Sequence, residues 1–202
     1  MESEQPANGI LLVVSGASGS GKSTVVKAMR DMGEEFYFSV SYTTRPMREG
    51  EAEGKHYHFV DRRTFRKMAR DGVFLEYTEY CGNSYGTPVA QVREMLENGM
   101  TVLLELDVPG AMQIKHSMPD AVLTFITPSD FRVLEARLRK RATENSADIS
   151  SRISAARYEY SRIKEYDYII INDDARRAAQ ELRAVICAER CRAQRRIGML
   201  RG

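Results

Sequence analysis

Gly16, Gly21, Lys22 and Ser23 stand in the order G-x-x-x-x-G-K-S within "GASGSGKST", residues 16–24. Glycines let successive backbone N–H groups turn inward around phosphate oxygens with no Cβ in the way. A lysine at the end of such a loop reaches terminal phosphates, and the hydroxyl after it suits Mg²⁺. The flanks agree with that chemistry. "ILLVVS" leads in as a strand, and "KSTVVKAMRDMG" leads out as a helix whose positive end adds to the cradle. A flexible glycine loop with a stray lysine would not reproduce order, position and flanks together. The loop implies a nucleoside triphosphate, but an ATPase, a GTPase, a motor and a small-molecule kinase all carry one.

The stretch "SVSYTTRPMREGEAEGKHYHFV", residues 39–60, supplies a second phosphate site. Arg45 and Arg48 can grip phosphate bidentately, and the Tyr57 hydroxyl adds a hydrogen bond. "FLEYTEYCGNSYGT" then offers Glu76, Tyr85 and Thr87. A carboxylate only accepts hydrogen bonds, which suits a base edge with adjacent N–H donors, as guanine has at N1 and N2. "TVLLELDVPG" is an apolar strand ending in Glu105 and Asp107, where acids sit near the Mg²⁺ of a phosphate loop.

These groups need a frame. The short apolar runs "ILLVVS", "FYFSV", "TVLLELDV", "AVLTFIT" and "YDYIIIN" are mostly continuous, as strands buried on both faces of a parallel sheet are. Helical segments alternate with them. Gly33 is expected to stop the first, Pro88 and Gly99 to bound "TPVAQVREMLENG", and Ser129 to cap "SDFRVLEARLRKRA". The order predicts an α/β fold with a central parallel sheet flanked by helices. Residues 41–87 break the rhythm with Gly, Tyr and short strand-like pieces, and predict an inserted mixed lobe. Residues 139–158, highly charged, predict a helical lid. Both would overhang the C-terminal edge of the sheet, where α/β proteins bind ligands. The core is then expected over 10–40, 88–138 and 159–195, with a basic tail over 190–202.

Composition narrows the partners. The 202 residues are 43% hydrophobic and 29% charged, with a net charge of +2, so no basic field announces a nucleic-acid binder. No apolar run reaches the ~20 residues of a membrane span, and "MESEQPANG" lacks the layout of a secretory signal. Cys81, Cys187 and Cys191 form no disulfide framework, which favours a reducing cytoplasm. The Arg-rich end, "ARRAAQELRAVICAERCRAQRRIGMLRG", reads either as a solvated helix face with a basic tail or as an electrostatic contact with nucleic acid or an acidic partner.

Over residues 10–185 the chain resembles the guanylate kinase family. The matching pieces are "GASGSGKST", "SVSYTTRPMREGE..GKHYHFV", "FLEYTEYCGNSYGT", "LLELDVPGA" and "YDYIIINDD". The resemblance implies a P-loop NTPase-type sheet with a GMP-binding lobe and a lid, and Mg²⁺-dependent transfer of the ATP γ-phosphoryl to GMP, with dGMP as a further acceptor. It implies that Gly16, Ala17, Ser18, Gly19, Ser20, Gly21, Lys22, Ser23 and Thr24 cradle ATP, with Asn172 by the adenine. Ser41, Arg45, Arg48, Tyr57 and Tyr85 would surround the GMP phosphate. Glu76, Thr87 and Asp107 would read guanine. Arg141 and Arg152 would close over the transferring group, although Arg137 and Arg139 lie close to Arg141. Ser23 and Glu105 would hold Mg²⁺, partly through water. Ala17, Met47 and Pro109 depart from the residues common in the family, and the lid is poor in glycine. Two alternatives remain open at this point: a binding module that kept the fold and lost the chemistry, and a P-loop kinase with another acceptor. Oligomeric state is left undetermined.

Overall fold

The computed structural model describes residues 9–80, 82–141, 146–197 and 200, with the backbone alone at residues 140, 141, 146–149 and 151. Its elements run β1 (Ile10–Ser15), α1 (Lys22–Asp31), β2 (Tyr37–Phe38), β3 (Tyr42–Thr43), β4 (His58–Phe59), α2 (Arg62–Arg70), β5 (Phe74–Tyr80) and β6 (Asn83–Pro88). They continue as α3 (Val89–Glu97), β7 (Thr101–Glu105), α4 (Val108–Ser117), β8 (Val122–Thr127), α5 (Phe131–Arg141), α6 (Ser146–Ser161), β9 (Tyr168–Ile171), α7 (Ala175–Arg190) and α8 (Ala193–Arg196).

The main sheet has the order β2-β7-β1-β8-β9 and every pairing in it is parallel. β1 is its middle strand and is buried along its whole length. Alternation sends its side chains to opposite faces. Ile10, Leu12 and Val14 join Val25, Met29, Leu182 and Ile186, the layer of α1 and α7. Leu11 and Val13 join Val92, Val108 and Ile114, the layer of α3 and α4. That two-sided demand explains the unbroken apolar runs of β1, β7 and β8. "FYFSV" yields only the two-residue edge strand β2. "TVLLELDV" stops being a strand at Glu105, because the Asp107 side chain caps α4 through the Gly110 N–H.

A second, mixed sheet has the order β4-β3-β6-β5, with β3 and β4 parallel and the other pairings antiparallel. It lies within the segment that broke the sequence rhythm. That segment also holds α2, which strand-like pieces did not announce. The helix is mostly charged, so no apolar stripe betrays it. Its one buried residue, Phe65, stacks on Phe74 at 4.6 Å. Asp61 caps it, accepting from the Thr64 N–H at 2.9 Å.

One predicted cap is wrong. Asp130, not Ser129, caps α5, accepting from the Arg132 N–H at 2.7 Å. Ser129 lies one residue too early and instead donates its N–H to Asp173. The stretch 139–158, expected to form a lid, contains the end of α5 and most of α6, and residues 142–145 lie outside the described ones. Among the described residues no helix is long and apolar enough to cross a membrane.

The Arg-rich C-terminal stretch binds its own chain. Glu34, buried at the end of α1, takes Arg183 at 2.9 Å and Arg190 at 3.1 Å. Buried Glu189 accepts from the Tyr168 hydroxyl and pairs with Arg192. Arg195 donates to the Gly9 carbonyl at 2.9 Å, tying the end of the chain to the start of β1. Much of this basic sequence is therefore internal clamp rather than free surface. Glu34→Ala leaves two guanidinium groups without their common acceptor and is expected to cost about 1–3 kcal/mol of stability in urea or thermal melts. Arg183→Ala, which removes a half-exposed partner, is expected to cost less than about 1 kcal/mol.

Candidate active site

The phosphate loop hangs from the C-terminal end of β1. At Gly16 the backbone has φ 139, and a Cβ would stand 2.2 Å from the Ile126 carbonyl oxygen. At Gly21 φ is 89, and a Cβ would meet the Asn172 side chain at 2.4 Å. Both positions therefore demand glycine. Ala17 is fully buried beside Leu134, Leu138 and Ala156, and Gly19 faces the same two leucines. Ser20 is buried and closes the turn with its N–H on the Ala17 carbonyl.

Asn172 does not line the cleft. It is buried beneath the loop, and its side-chain amide donates to the Ser20 carbonyl at 2.7 Å. That bond makes the side chain a brace for the loop.

Among the described residues four helices begin at aspartate caps: α2 at Asp61, α4 at Asp107, α5 at Asp130 and α7 at Asp174. α1 begins at Gly21, with no side-chain cap. Its first-turn N–H groups and dipole thus face the loop's cavity, which fits an anion. Lys22 folds back to donate to the Gly16 carbonyl at 2.6 Å. Ser23 donates its hydroxyl to Glu105 Oε1 at 2.8 Å, across from the end of β7. A hydroxyl and a carboxylate are hard oxygen donors of the kind Mg²⁺ takes, so this pair fits the ion. Thr24 is exposed on the first turn of α1.

A cleft of about 970 Å³ runs from this loop to the mixed sheet. Its walls include Gly16, Ser18, Lys22, Ser23, Ser41, Arg45, Arg48, Tyr57, Glu76, Tyr85, Glu105, Asp107 and Arg152. The residues read from distant parts of the sequence therefore share one cavity. Arg45 grips Glu51 with both terminal nitrogens, at 3.0 and 2.7 Å. It lies 5.4 Å from the Tyr57 ring centre and 5.9 Å from that of Phe59. Glu51 also accepts the Arg48 N–H at 2.8 Å. The Arg45 guanidinium holds the Glu51 carboxyl down at about 2. Glu51 went unremarked in the sequence. It is one of three acids, Glu49, Glu51 and Glu53, between Arg48 and Tyr57, and a linear reading could not tell it from surface charge.

Farther in, Glu76 is 4% exposed. Burial drives its carboxyl up to about 7, against the opposing bond from Thr87. That bond, Thr87 hydroxyl to Glu76 Oε1, is 2.6 Å long. Thr87 stands behind the cleft wall rather than in it. Oε2 lies so close to Gly110 that a Cβ there would approach to 2.8 Å. Asp107 accepts from the Thr78 hydroxyl at 3.0 Å and from the Gly110 N–H at 2.8 Å. The sequence reading put Asp107 at a strand end beside Glu105. Here it caps α4, one step deeper toward Glu76.

On the lid side, Arg152 projects from α6 into the cleft. Arg141 is the last residue of α5, and its side chain lies outside the described residues. Arg139 pairs with Glu135 at 2.7 Å, and Arg137 reaches the Asn172 carbonyl at 3.5 Å. A further group, Glu159, was not read from the sequence at all. It is 8% exposed and lines the cleft. Burial lifts its carboxyl to about 7, with the Lys22 charge pulling the other way. Its only sequence signal was an acid within the amphipathic run "SSRISAARYEYSR", where a solvent-facing place looked equally good.

The comparisons with known proteins agree with this geometry. The guanylate kinase family model matches residues 8–189. The guanylate kinase of Streptococcus thermophilus is 47% identical over 194 residues, which span 96% of this chain and 93% of that protein. That of Carboxydothermus hydrogenoformans is 43% identical over 187 residues, 93% of this chain and 92% of that one. The crystal structure of guanylate kinase from Anaplasma phagocytophilum superposes with a TM-score of 0.78 at 31% identity, covering 94% of this chain and 90% of that one. With a phosphate loop, an arginine pair and a buried carboxylate on one cleft, and a match along nearly the whole sequence, this chain belongs to the guanylate kinase family.

Proposed function

We propose that the chain transfers the γ-phosphoryl of ATP to GMP, giving ADP and GDP, and accepts dGMP as well. We also propose that it acts in the cytoplasm, in purine nucleotide metabolism. One observation carries the reading: a single cleft joins the uncapped, lysine-bearing start of α1 to the Arg45–Arg48 pair and to the buried Glu76. Donor and acceptor ends are thereby held in one cavity, as direct transfer requires. The residue roles proposed here follow from that arrangement, and so does a division into core, GMP-binding lobe over 41–87 and lid over 139–158.

Phosphoryl transfer asks a protein mainly for alignment and charge stabilisation. Lys22 and the first turn of α1 would hold the donor phosphates. Arg45, Arg48, Tyr57, Tyr85 and Ser41 would surround the acceptor phosphate, with Glu51 fixing the Arg45 fork. Arg152 and Arg141 would approach from the lid side. Ser23 and Glu105 would hold Mg²⁺, which when bound offsets charge on the donor phosphates. Closure over the cleft would exclude water, the competing acceptor.

Base choice rests on Glu76. Thr87 occupies Oε1, which leaves acceptor capacity for the adjacent N–H donors of guanine, while adenine presents no such pair. A buried acceptor left unmatched strongly penalises the wrong base. The relatives named above are kinases over the same length, so a binding module without chemistry is not favoured.

A coupled ADP-release assay with Mg·ATP and GMP, dGMP, AMP, CMP or UMP tests the reading. Turnover is expected with GMP and dGMP, and little with AMP; equal rates with AMP and GMP would sink it. Lys22→Ala is expected to lower kcat by about 10³-fold or more, the scale of losing one main charge-stabilising group. Glu76 must be ionised to accept guanine's N–H groups, and its carboxyl sits at about 7. KM for GMP is therefore expected to rise about tenfold from pH 8 to pH 6, one decade per unit below the pKa. Glu76→Gln is expected to flatten that dependence relative to the parent and to erode the preference for GMP over AMP. A slope equal to the parent's would move base reading to another group.

A further inference from the structure

A net charge of +2 hides how unevenly the cations lie. Helix α2 carries Arg62, Arg63, Arg66, Lys67 and Arg70, and no acid stands within it. At about 100° per residue, all five fall within an arc of about 140°. Phe65, Met68 and Ala69 occupy the other side. Phe65 stacks on Phe74 and seats the helix on the mixed sheet, and all five cations are exposed. Among the described residues none of the five is ion-paired. Arg62 donates to the Gly82 carbonyl at 2.8 Å, a partner without charge. Asp61 and Asp71 stand just outside the helix ends, and Asp61 spends its carboxylate on the N–H and hydroxyl of Thr64. Helix stability does not account for this arrangement. Arg62 and Arg66, Arg63 and Lys67, and Arg66 and Arg70 are like charges at i,i+4, and each pair is unfavourable. Arg62 and Arg63 also sit in the first turn, where the helix dipole favours acids. An anion lying on this face would relieve both penalties.

We propose that the outer face of α2 is a docking surface for duplex DNA, held through its phosphate backbone without reading sequence. Charge complementarity selects the partner. Four of the five cations are arginine, whose planar fork takes two phosphate oxygens at once. Arg62, Arg66 and Arg70 form a row with a positive charge every ~6 Å along the helix axis. A duplex offers a phosphate every ~1.7 Å of its own axis, twice the density of one strand. The rest of the face selects the form of the polyanion. No aromatic side chain stands in the cationic arc, so unpaired bases find no stacking platform. The Thr64 hydroxyl is already given to Asp61, which leaves no free hydroxyl on the helix for a ribose 2′-OH. The apolar side of α2 is packed on its own sheet, so the helix has no apolar face to bury in a lipid layer. Its free arc meets a phosphate ridge rather than base edges. None of the five cations lines the cleft, so this face and the cleft can be occupied together.

The test is fluorescence anisotropy of a labelled duplex DNA of about 20 base pairs, titrated with the full chain between about 50 and 200 mM KCl. Binding in the micromolar range is expected at the low end, with log K falling by about 3 to 4 per decade of salt, about 0.9 for each phosphate contacted. Arg63→Glu/Arg66→Glu reverses two charges and places an acid four residues before Lys67 and Arg70. It is expected to lose at least about tenfold in affinity and about 2 from the salt slope, with a Tm no lower than the parent's. Arg63→Gln/Arg66→Gln removes the charges without reversing them and is expected to weaken binding in the same direction, so unfolding of one variant leaves the other to decide. Arg63→Lys/Arg66→Lys keeps the charge and is expected to stay within about threefold of the parent. All three are expected to phosphorylate GMP within about twofold of the parent's rate, since these side chains lie outside the cleft. Single-stranded DNA, duplex RNA, poly-L-glutamate and vesicles of phosphatidylglycerol with phosphatidylcholine are titrated alongside. The proposal fails if the parent does not bind duplex DNA at low salt, or if the charge-removing variants bind as tightly as the parent. It also fails if any of the other polyanions binds more tightly than duplex DNA, which would give the face to that partner. Failure of the parent to phosphorylate GMP would refute the assigned reaction and leave the DNA titration standing.

Discussion

The hydrogen bond from the Asn172 amide to the Ser20 carbonyl fixes the shape of the glycine loop on which the cleft depends. It joins the end of β9 to the inside of the loop that leaves β1, across β8. The backbone N–H of Asn172 is itself fixed to the Thr127 carbonyl at 2.7 Å. The loop is thus strapped to the edge of a parallel sheet rather than left to find its own shape. Gly21 must be glycine because the strap lies directly beneath it, and Gly16 because the Ile126 carbonyl does. Those two close approaches leave α1 starting at the loop's cavity with its first N–H groups pointed inward, and the rest of the donor site follows from that start.

The acids of the cleft fall into two kinds. Glu51 and Glu105 are held by a partner that uses their charge: the Arg45 fork for the first and the Ser23 hydroxyl for the second. Glu76 and Glu159 are buried, and burial pushes both toward the neutral form at physiological pH. A carboxyl near its midpoint at pH 7 responds to what binds beside it. In the proposed reaction guanine's N–H groups would draw Glu76 toward the ionised form.

The arginine-rich end illustrates a different economy of charge. Arg183, Arg190, Arg192 and Arg195 meet Glu34 and Glu189, acids so buried that an unpaired charge there would be costly. Their partners lie about 150 residues away or only three and six residues back, across the break between α7 and α8. Net charge alone gave no hint of which arginines face inward.

The amino-acid order by itself determined the sheet and the phosphate loop. Burial on both faces forces unbroken apolar strands, and a tight anion-binding turn forces glycines at fixed offsets, so both constraints are written locally. It also named Arg45, Arg48, Tyr57, Glu76 and Asp107 as chemistry-bearing groups, since their types suit phosphate and a base edge. What it could not give was the company each keeps. Glu51 on Arg45, Thr78 on Asp107 and Asn172 under Ser20 are pairings decided by packing, the last across most of the chain. Helix α2 escaped because a charged helix with one buried aromatic has no periodic stripe, and the cap of α5 moved by one residue because Asp130 reaches the first-turn amide that Ser129 cannot. Position in three dimensions set which acids became buried, and burial, through the cost of desolvating charge, set what they can do.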